Sequence, residues 1–169
     1  MTTYILSFLC FSYVFHQYKA LGSAHVSQER ALVDYYDPAY VGNPQAFTFR
    51  AKRGDLYKSN VTITTFHEWG NNISVAISYK GKLYGTDIYM KEKACDALKT
   101  DWVNEVFSKY MHRKLACPIP PGIYGVYNFE LPPKNFPFPI PKGEGVITTT
   151  LLKDGKKKVL HILIKVKIL

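Results

Sequence analysis

The clearest pattern in the chain is the strict alternation of apolar and polar side chains near its carboxy terminus. The apolar positions are Leu160, Ile162, Ile164, Val166 and Ile168, and the polar positions between them include His161, Lys165 and Lys167. Because successive side chains of a strand point to opposite faces, this pattern predicts a strand with one buried and one wet face. The preceding run, GVITTTLL, is joined to it through Asp154-Gly155, and a two-residue turn there would place Ile147 opposite Ile162.

Two runs in the middle of the chain have the same period of two. The run VTITTFHEW places Val61, Ile63 and Trp69 on one face, and the run ISVAISY does the same for Ile73, Val75, Ile77 and Tyr79. Gly70-Asn71 between them predicts a hairpin turn. A further strand, with a break at Gly85, is predicted over LYGTDIYM, residues 83–90.

One segment has helical spacing instead. Its apolar positions are Leu98, Trp102, Val103, Val106, Phe107 and Tyr110. Pro118, Pro120 and Pro121 prevent a helix from continuing beyond it, because each lacks an amide hydrogen and fixes φ. The sequence therefore predicts an all-β protein with one short helix between Cys95 and Cys117.

The first 24 residues predict a signal peptide. The chain is almost continuously apolar from Tyr4 to Phe15, which is too short to span a bilayer, and small residues follow. Cleavage after Gly22 and cleavage after Ala24 both fit. The remaining residues, 25–169, are expected to form one secreted, extracellular domain with no membrane helix.

The cysteines and two short motifs agree with export. Removal of the signal takes away Cys10 and leaves Cys95 and Cys117, which an oxidising compartment favours as one disulfide. That bond closes a loop of about 22 residues (117 − 95) and contributes roughly 3 kcal/mol in the loop-entropy model. The triplets Asn60-Val61-Thr62 and Asn72-Ile73-Ser74 predict a glycoprotein modified at Asn60 and Asn72.

The chain is basic, with a formal net charge of +9 that falls to +8 once Lys19 leaves with the signal. Such a charge favours anionic surfaces such as acidic lipid headgroups or glycans. Nucleic acid is not an expected partner, since the chain is exported and has no basic helix or nucleic-acid module. An anionic membrane surface or a receptor is one interpretation of the charge, and a solubilising surface is the other.

No motif of a known reaction is present. The chain has no G-x-S-x-G elbow, H-E-x-x-H helix, P-loop or dinucleotide fingerprint, and His67-Glu68 lacks the second histidine of a zinc helix. We therefore expect a protein that is not an enzyme and has no catalytic residue, metal site or cofactor.

The apolar content points to a binding function. Hydrophobic residues make up 47% of the chain and aromatic residues 15%. Two sheets packed face to face can part slightly and hold an apolar ligand, although the same residues can also fill a solid core. Phe136 and Phe138, in a proline-rich passage, either border the opening of such a cavity or cover the end of the core.

A family resemblance sharpens this picture. The run ACDALK before the helix, the run ACPIPPGIYGVYN after it and the passage IPKGEG resemble the insect ganglioside-activator-like proteins, which are similar to the ML (lipid-recognition) superfamily with its chemosensory members. The likeness extends from Asn60 to the carboxy terminus, and its most specific element is Cys117-Pro118 with Gly122, Tyr124 and Asn128. It implies an immunoglobulin-like two-sheet sandwich with a hydrophobic cavity between the sheets.

We therefore expect a secreted, non-enzymatic carrier of a lipid-like molecule with a role in chemosensation or pheromone response. Residues expected to line its ligand pocket are Trp69, Ile73, Val75, Ile77, Trp102, Phe107, Ile162 and Ile164. The first alternative is an exported module with a filled core that docks on another protein or a membrane surface. The second is an activator that presents a glycolipid to a hydrolase, which the single disulfide disfavours because ganglioside activators have several.

Overall fold

The computed structural model describes residues 26–82, 87–133, 136 and 141–169. The predicted signal peptide, the first four residues of the predicted strand 83–90, and Phe138 lie outside these ranges. Within them, no helix combines the length and apolar character needed to cross a membrane.

The described residues form eight strands and two short helices. The strands are β1 (Val26–Tyr36), β2 (Val41–Phe49), β3 (Lys58–Thr65), β4 (Ile73–Gly81), β5 (Asp87–Lys93), β6 (Gly122–Phe129), β7 (Gly143–Lys153) and β8 (Lys157–Ile168). The helices are α1 (Ala94–Ala97) and α2 (Asp101–Tyr110), between β5 and β6.

The strands form two antiparallel sheets. One has five strands in the order β1-β8-β7-β4-β5, and the other has three in the order β2-β3-β6. The buried apolar side chains lie between the sheets, as the alternation along β8 requires: its five predicted inward residues are all buried, and Lys165 and Lys167 are exposed. The all-β, two-sheet sandwich predicted from the sequence is confirmed.

The carboxy-terminal hairpin is confirmed, but its register differs from the prediction. Ile147 lies opposite Ile164 instead of Ile162. Three residues, not two, separate the paired Lys153 and Lys157, and a bulge beyond Leu151 adds one more. The two single-residue shifts add to two, and since side chains alternate with period two, the apolar faces still agree.

The predicted hairpin at Gly70-Asn71 is wrong. β3 belongs to the three-stranded sheet and β4 to the five-stranded sheet, so the two strands are not partners. The connection crosses from one layer to the other, and Trp69 on the way forms a two-residue antiparallel bridge with Ile119. Both strands show an inward apolar face because each borders the same core from opposite sides.

The two amino-terminal strands, which were not predicted from the sequence pattern, connect the two sheets. β1 is the edge strand that pairs with β8, and its Gln28 side chain is completely buried. Gln28 donates to the carbonyl oxygen of Phe129 (2.9 Å) and accepts from the hydroxyl of Ser59 on β3 (2.7 Å). Its amide is therefore satisfied although it lies between apolar layers.

The helical segment lies where the sequence predicts it. α1 is a single turn that contains Cys95, and α2 is the ten-residue helix. The predicted disulfide between Cys95 and Cys117 is present, with Cα atoms 5.6 Å apart. It closes the loop that carries both helices, and the ring of Tyr110 at the end of α2 packs edge-on against Phe129 of β6 (5.3 Å).

Candidate functional site

A cavity of about 280 Å³ lies between the two sheets and under the helical segment. Its size is near the lower end of the roughly 300–1,000 Å³ typical of small-molecule sites. The cavity has three walls, which are formed by the five-stranded sheet, by the three-stranded sheet and by the helices α1 and α2.

The wall from the five-stranded sheet follows directly from strand pairing. Ile77 on β4, Thr149 on β7 and Ile162 on β8 lie opposite one another and form one row of side chains across the sheet. A second row consists of Val75, Leu151 and Leu160. Both rows face the cavity. Directly opposite residues of neighbouring strands have their side chains on the same face of the sheet. Once the inward residues of one strand are known, the inward residues of the strands paired with it follow from the register.

The facing wall comes from β3 and β6. Val61 lies opposite Val126, and Ile63 lies opposite Tyr124, and all four line the cavity. The hydroxyl of Tyr124 donates to the carbonyl oxygen of Pro120 (2.6 Å). That bond satisfies the polar end of the side chain, so the ring contributes an apolar surface to the wall.

The third wall is one face of the helical segment. Trp102, Val103, Val106 and Phe107 on α2 all line the cavity. Their spacing of one, three and one residues places them on one side of the helix. The disulfide anchors this segment at α1, so the helix is fixed over the cavity by a covalent bond as well as by packing.

A smaller pocket of about 90 Å³ shares a wall with the cavity. Residues that line both include Ile77, Met90, Trp102 and Phe129. Phe136 borders the smaller pocket, and its ring packs edge-on against Trp102 (5.3 Å).

The cavity is apolar and uncharged. Among the described residues that line it, none carries a formal charge, and the polar side-chain groups are the hydroxyls of Thr149 and Tyr124 and the indole N–H groups of Trp69 and Trp102. The charged groups lie elsewhere: His161, for example, is on the outer face of β8, where its ring bonds Thr150 (2.7 Å). In the described part of the chain, no three His, Cys, Asp or Glu side chains form a group that could hold a metal ion.

All eight residues predicted to line a ligand pocket border this one cavity. They are Trp69, Ile73, Val75, Ile77, Trp102, Phe107, Ile162 and Ile164. Lining residues that the prediction missed include Met90, Tyr124, Val126, Phe129, Thr149 and Leu160. Leu160 could have been predicted, because the alternation along the sequence places it on the same face as Ile162. Thr149 is polar, and only its pairing with Ile77 and Ile162 shows that it faces inward.

The two predicted glycosylation sites lie at different places in the fold. Asn60 is on the outer face of β3, where its side-chain oxygen accepts a hydrogen bond from the backbone N–H of Asn128 (2.8 Å). Asn72 is exposed in the crossing between the sheets, and its oxygen accepts from the N–H of Gly70 (2.8 Å). Neither site belongs to the cavity.

The chain can be compared with known proteins at the level of family, sequence and structure. No family model and no curated protein matches the chain. Among solved structures, the chain is similar to the crystal structure of a Niemann-Pick type C2 protein from Japanese carpenter ant, with 12% sequence identity and a TM-score of 0.32. The match covers 86% of this chain and 93% of that chain.

Proposed function

We propose that this protein is a secreted, non-enzymatic carrier that shelters one lipid-like molecule in the cavity between its two sheets. The observation that supports this proposal is the uncharged, hydrocarbon-rich lining of a cavity of about 280 Å³. A solid core, as the filled-core alternative requires, does not fit that volume.

The driving force for carriage is burial of apolar surface. Transfer of a methylene group from water into such a lining is worth roughly 0.8 kcal/mol, which is about a fourfold gain in affinity for each added carbon. The gain stops when the cavity is full. The small volume favours a slender, single-chain ligand over a glycolipid with several chains.

Chemosensation or pheromone response is the physiological role we propose for this carriage. The support is the resemblance carried by Cys117-Pro118 and the residues that follow, together with a cavity suited to small apolar molecules. Staining of sensory tissue with an antibody against the protein tests this role, and absence from such tissue would contradict it.

The test of carriage itself is uptake by the secreted protein. We expect native mass spectra of protein from insect-cell medium to show an additional apolar molecule, which solvent extraction removes. The stripped protein should then enhance the fluorescence of N-phenyl-1-naphthylamine, and straight-chain alcohols should displace this dye with affinities that rise by about fourfold per methylene. No co-purified molecule together with no dye uptake would rule the carrier out.

A second candidate function, docking on an anionic membrane surface, has a specific observation in its favour. The β7–β8 turn and the strand ends beside it carry Lys153, Lys156, Lys157 and Lys158. The ammonium group of Lys91 donates to the carbonyl oxygen of Gly155 in that turn (2.8 Å). These five cations lie at one end of the sheet, with Asp37 and Asp154 as the carboxylate partners of Lys157 and Lys153.

Vesicle sedimentation tests the docking function. We expect the protein to pellet with vesicles of phosphatidylcholine and phosphatidylserine at low salt, and to release as ionic strength rises. The double variant Lys156→Gln, Lys158→Gln should pellet less, and a matched variant at Lys165 and Lys167, on the outer face of β8, should behave as the unaltered protein. Equal loss in both variants would mean that net charge alone, and not the turn, is responsible.

A further inference from the structure

The indole N–H of Trp69 has no hydrogen-bond partner. Among the side-chain nitrogen and oxygen atoms of the described residues, Nε1 of Trp69 is the one that is buried without an acceptor. Only 6% of the residue is exposed. Native proteins pair nearly all buried polar groups, so an exception at a candidate site calls for an explanation.

The position of Trp69 connects this donor with the cavity. The backbone of Trp69 exchanges two hydrogen bonds of 2.8 Å with Ile119, so the main chain is fixed there. The side chain lines the cavity and packs in the same apolar cluster as Ile73 and Leu160. The other buried members of that cluster are hydrocarbon side chains, with Tyr124 the exception. The Tyr124 hydroxyl is engaged by the carbonyl oxygen of Pro120.

We propose that the ligand carries a neutral oxygen acceptor, a hydroxyl, aldehyde, ketone or ester group, which the indole N–H of Trp69 binds. This inference rests on the proposed carrier function. A pure hydrocarbon would leave the donor unpaired. A carboxylate would enter a lining in which no described residue offers a positive charge, and an uncompensated buried charge is costly.

Binding requires a small movement of the indole. Nε1 itself has no appreciable exposed surface, although the indole ring lines the cavity. Since the main chain is held by Ile119, the movement that the proposal requires is a rotation of the side chain toward the cavity that its ring lines. The ligand thus supplies the acceptor that the apolar cluster lacks.

Ligands with the same number of carbon atoms separate the contribution of the oxygen acceptor to affinity from the contribution of the hydrocarbon chain. We would measure displacement of N-phenyl-1-naphthylamine by dodecane, 1-dodecanol, dodecanal and dodecanoate. We expect the alcohol and the aldehyde to bind about tenfold more tightly than dodecane, which is the value of one net hydrogen bond. Dodecanoate, above the pKa of its carboxyl group, should bind more weakly than the alcohol.

Two tryptophan variants form a matched pair. Trp69→Phe keeps an aromatic ring but loses the donor, so the advantage of dodecanol over dodecane should disappear. Trp102→Phe removes the other indole of the cavity lining and should weaken the binding of dodecane and of dodecanol by a similar factor, so the ratio of their affinities should stay as in the unaltered protein. Because the chain has two tryptophans, Trp102→Phe also leaves Trp69 as the sole indole emitter. Its emission should shift to longer wavelength with dodecanal but not with dodecane.

The outcomes distinguish this inference from the proposed function. Equal affinities for dodecane and dodecanol, or a preference for dodecanol that remains in Trp69→Phe, would refute the proposed oxygen acceptor. Neither result would contradict the proposed carrier function. Failure of every ligand and of the dye to enter would instead overturn the carrier. If Trp69→Phe does not fold, the emission of Trp102→Phe decides the question alone, and an identical spectrum with dodecane and dodecanal would refute the proposal.

Discussion

The hydroxyl of Ser59 donates a 2.7 Å hydrogen bond to the side-chain oxygen of Gln28, and neither residue has any exposed surface. Ser59 belongs to the three-stranded sheet and Gln28 to the edge of the five-stranded sheet, so this bond joins the two layers. Thr48 extends the network, because its hydroxyl lies 3.0 Å from that of Ser59 and accepts from the N–H of Ala31.

We predict that Ser59→Ala lowers the free energy of unfolding by about 1–3 kcal/mol, because the carboxamide oxygen of Gln28 then stays buried without a donor. Urea denaturation of both proteins measures the difference. Lys165→Gln, on the exposed face of β8, is the control and should change stability by less than about 0.5 kcal/mol. A decrease in the free energy of unfolding no larger than that of the control would show that this hydrogen-bond network does not stabilise the packing of the two sheets.

The disulfide should matter for ligand binding as well as for stability. Replacement of Cys95 and Cys117 together by alanine removes the closure of the 22-residue loop and should cost roughly 3 kcal/mol of unfolding free energy. Since α1 and α2 form one wall of the cavity, dye uptake should weaken even under conditions in which the sheets remain folded. Circular dichroism and dye titration on the same sample separate the two effects, and unchanged uptake would contradict the role given to the helical wall.

A larger side chain in the cavity should block binding without unfolding the protein. Ile63→Trp projects into the cavity from β3, so we expect dye affinity to fall at least about tenfold while stability changes by about 1 kcal/mol, since the added volume has space to occupy. Thr64→Trp places the same ring on the outer face of the same strand and should bind dye normally. Equal affinities in the two variants would show that the dye binds elsewhere.

The stability of the protein should depend on pH through His161. Burial lowers the pKa of His161 below its ordinary value of 6.5, and the nearby Lys158 acts in the same direction against Asp34. As pH falls through 6.5, His161 becomes protonated in the unfolded chain but stays neutral in the folded protein. The free energy of unfolding should therefore decrease from about pH 6.5 downward, until pH reaches the lowered pKa of the folded protein. His161→Gln should show a smaller decrease between pH 7.5 and 5.5 in urea denaturation, and an identical decrease would exclude His161 as its source.

Both sequons should be occupied when the protein passes through a secretory pathway. Intact mass before and after enzymatic release of N-glycans should show two glycans, of which Thr62→Ala removes the one on Asn60 and Ser74→Ala the one on Asn72. Thr62→Ser keeps the sequon and serves as the control. We expect Thr62→Ala to spare the bond between Asn60 and the N–H of Asn128, since it leaves the asparagine in place. A secreted protein with no mass change would contradict the prediction.

The strands that the sequence predicts are those without bulges in their inward pattern. In β4, and in β8 from Leu160 onward, the residues that face the core recur at every second position, so that face is visible from the sequence alone. In β6, a bulge makes Tyr124, Val126 and Phe129 the cavity-lining residues, which breaks the period. β1 has two such irregularities, and this explains why both strands escaped prediction.

Register and partnership were also beyond the sequence. The pattern of Val61 and Ile63 is the same whether β3 pairs with β4 or faces it across the core, because alternation reports only that one face is buried. The wrong hairpin at Gly70-Asn71 and the shifted pairing of Ile147 both arise from this ambiguity.

By itself, the sequence determined the β character of the chain, the inward faces of its regular strands, the helical segment and the pairing of Cys95 with Cys117. These features depend on the local spacing of apolar residues and on the number of cysteines, and both can be read directly from the sequence. Only the tertiary structure decided that the inward faces enclose open space instead of a filled core, because a cavity depends on the distance between layers. It also decided that the donor of Trp69 is left without an acceptor, since hydrogen-bond satisfaction depends on which distant residues meet.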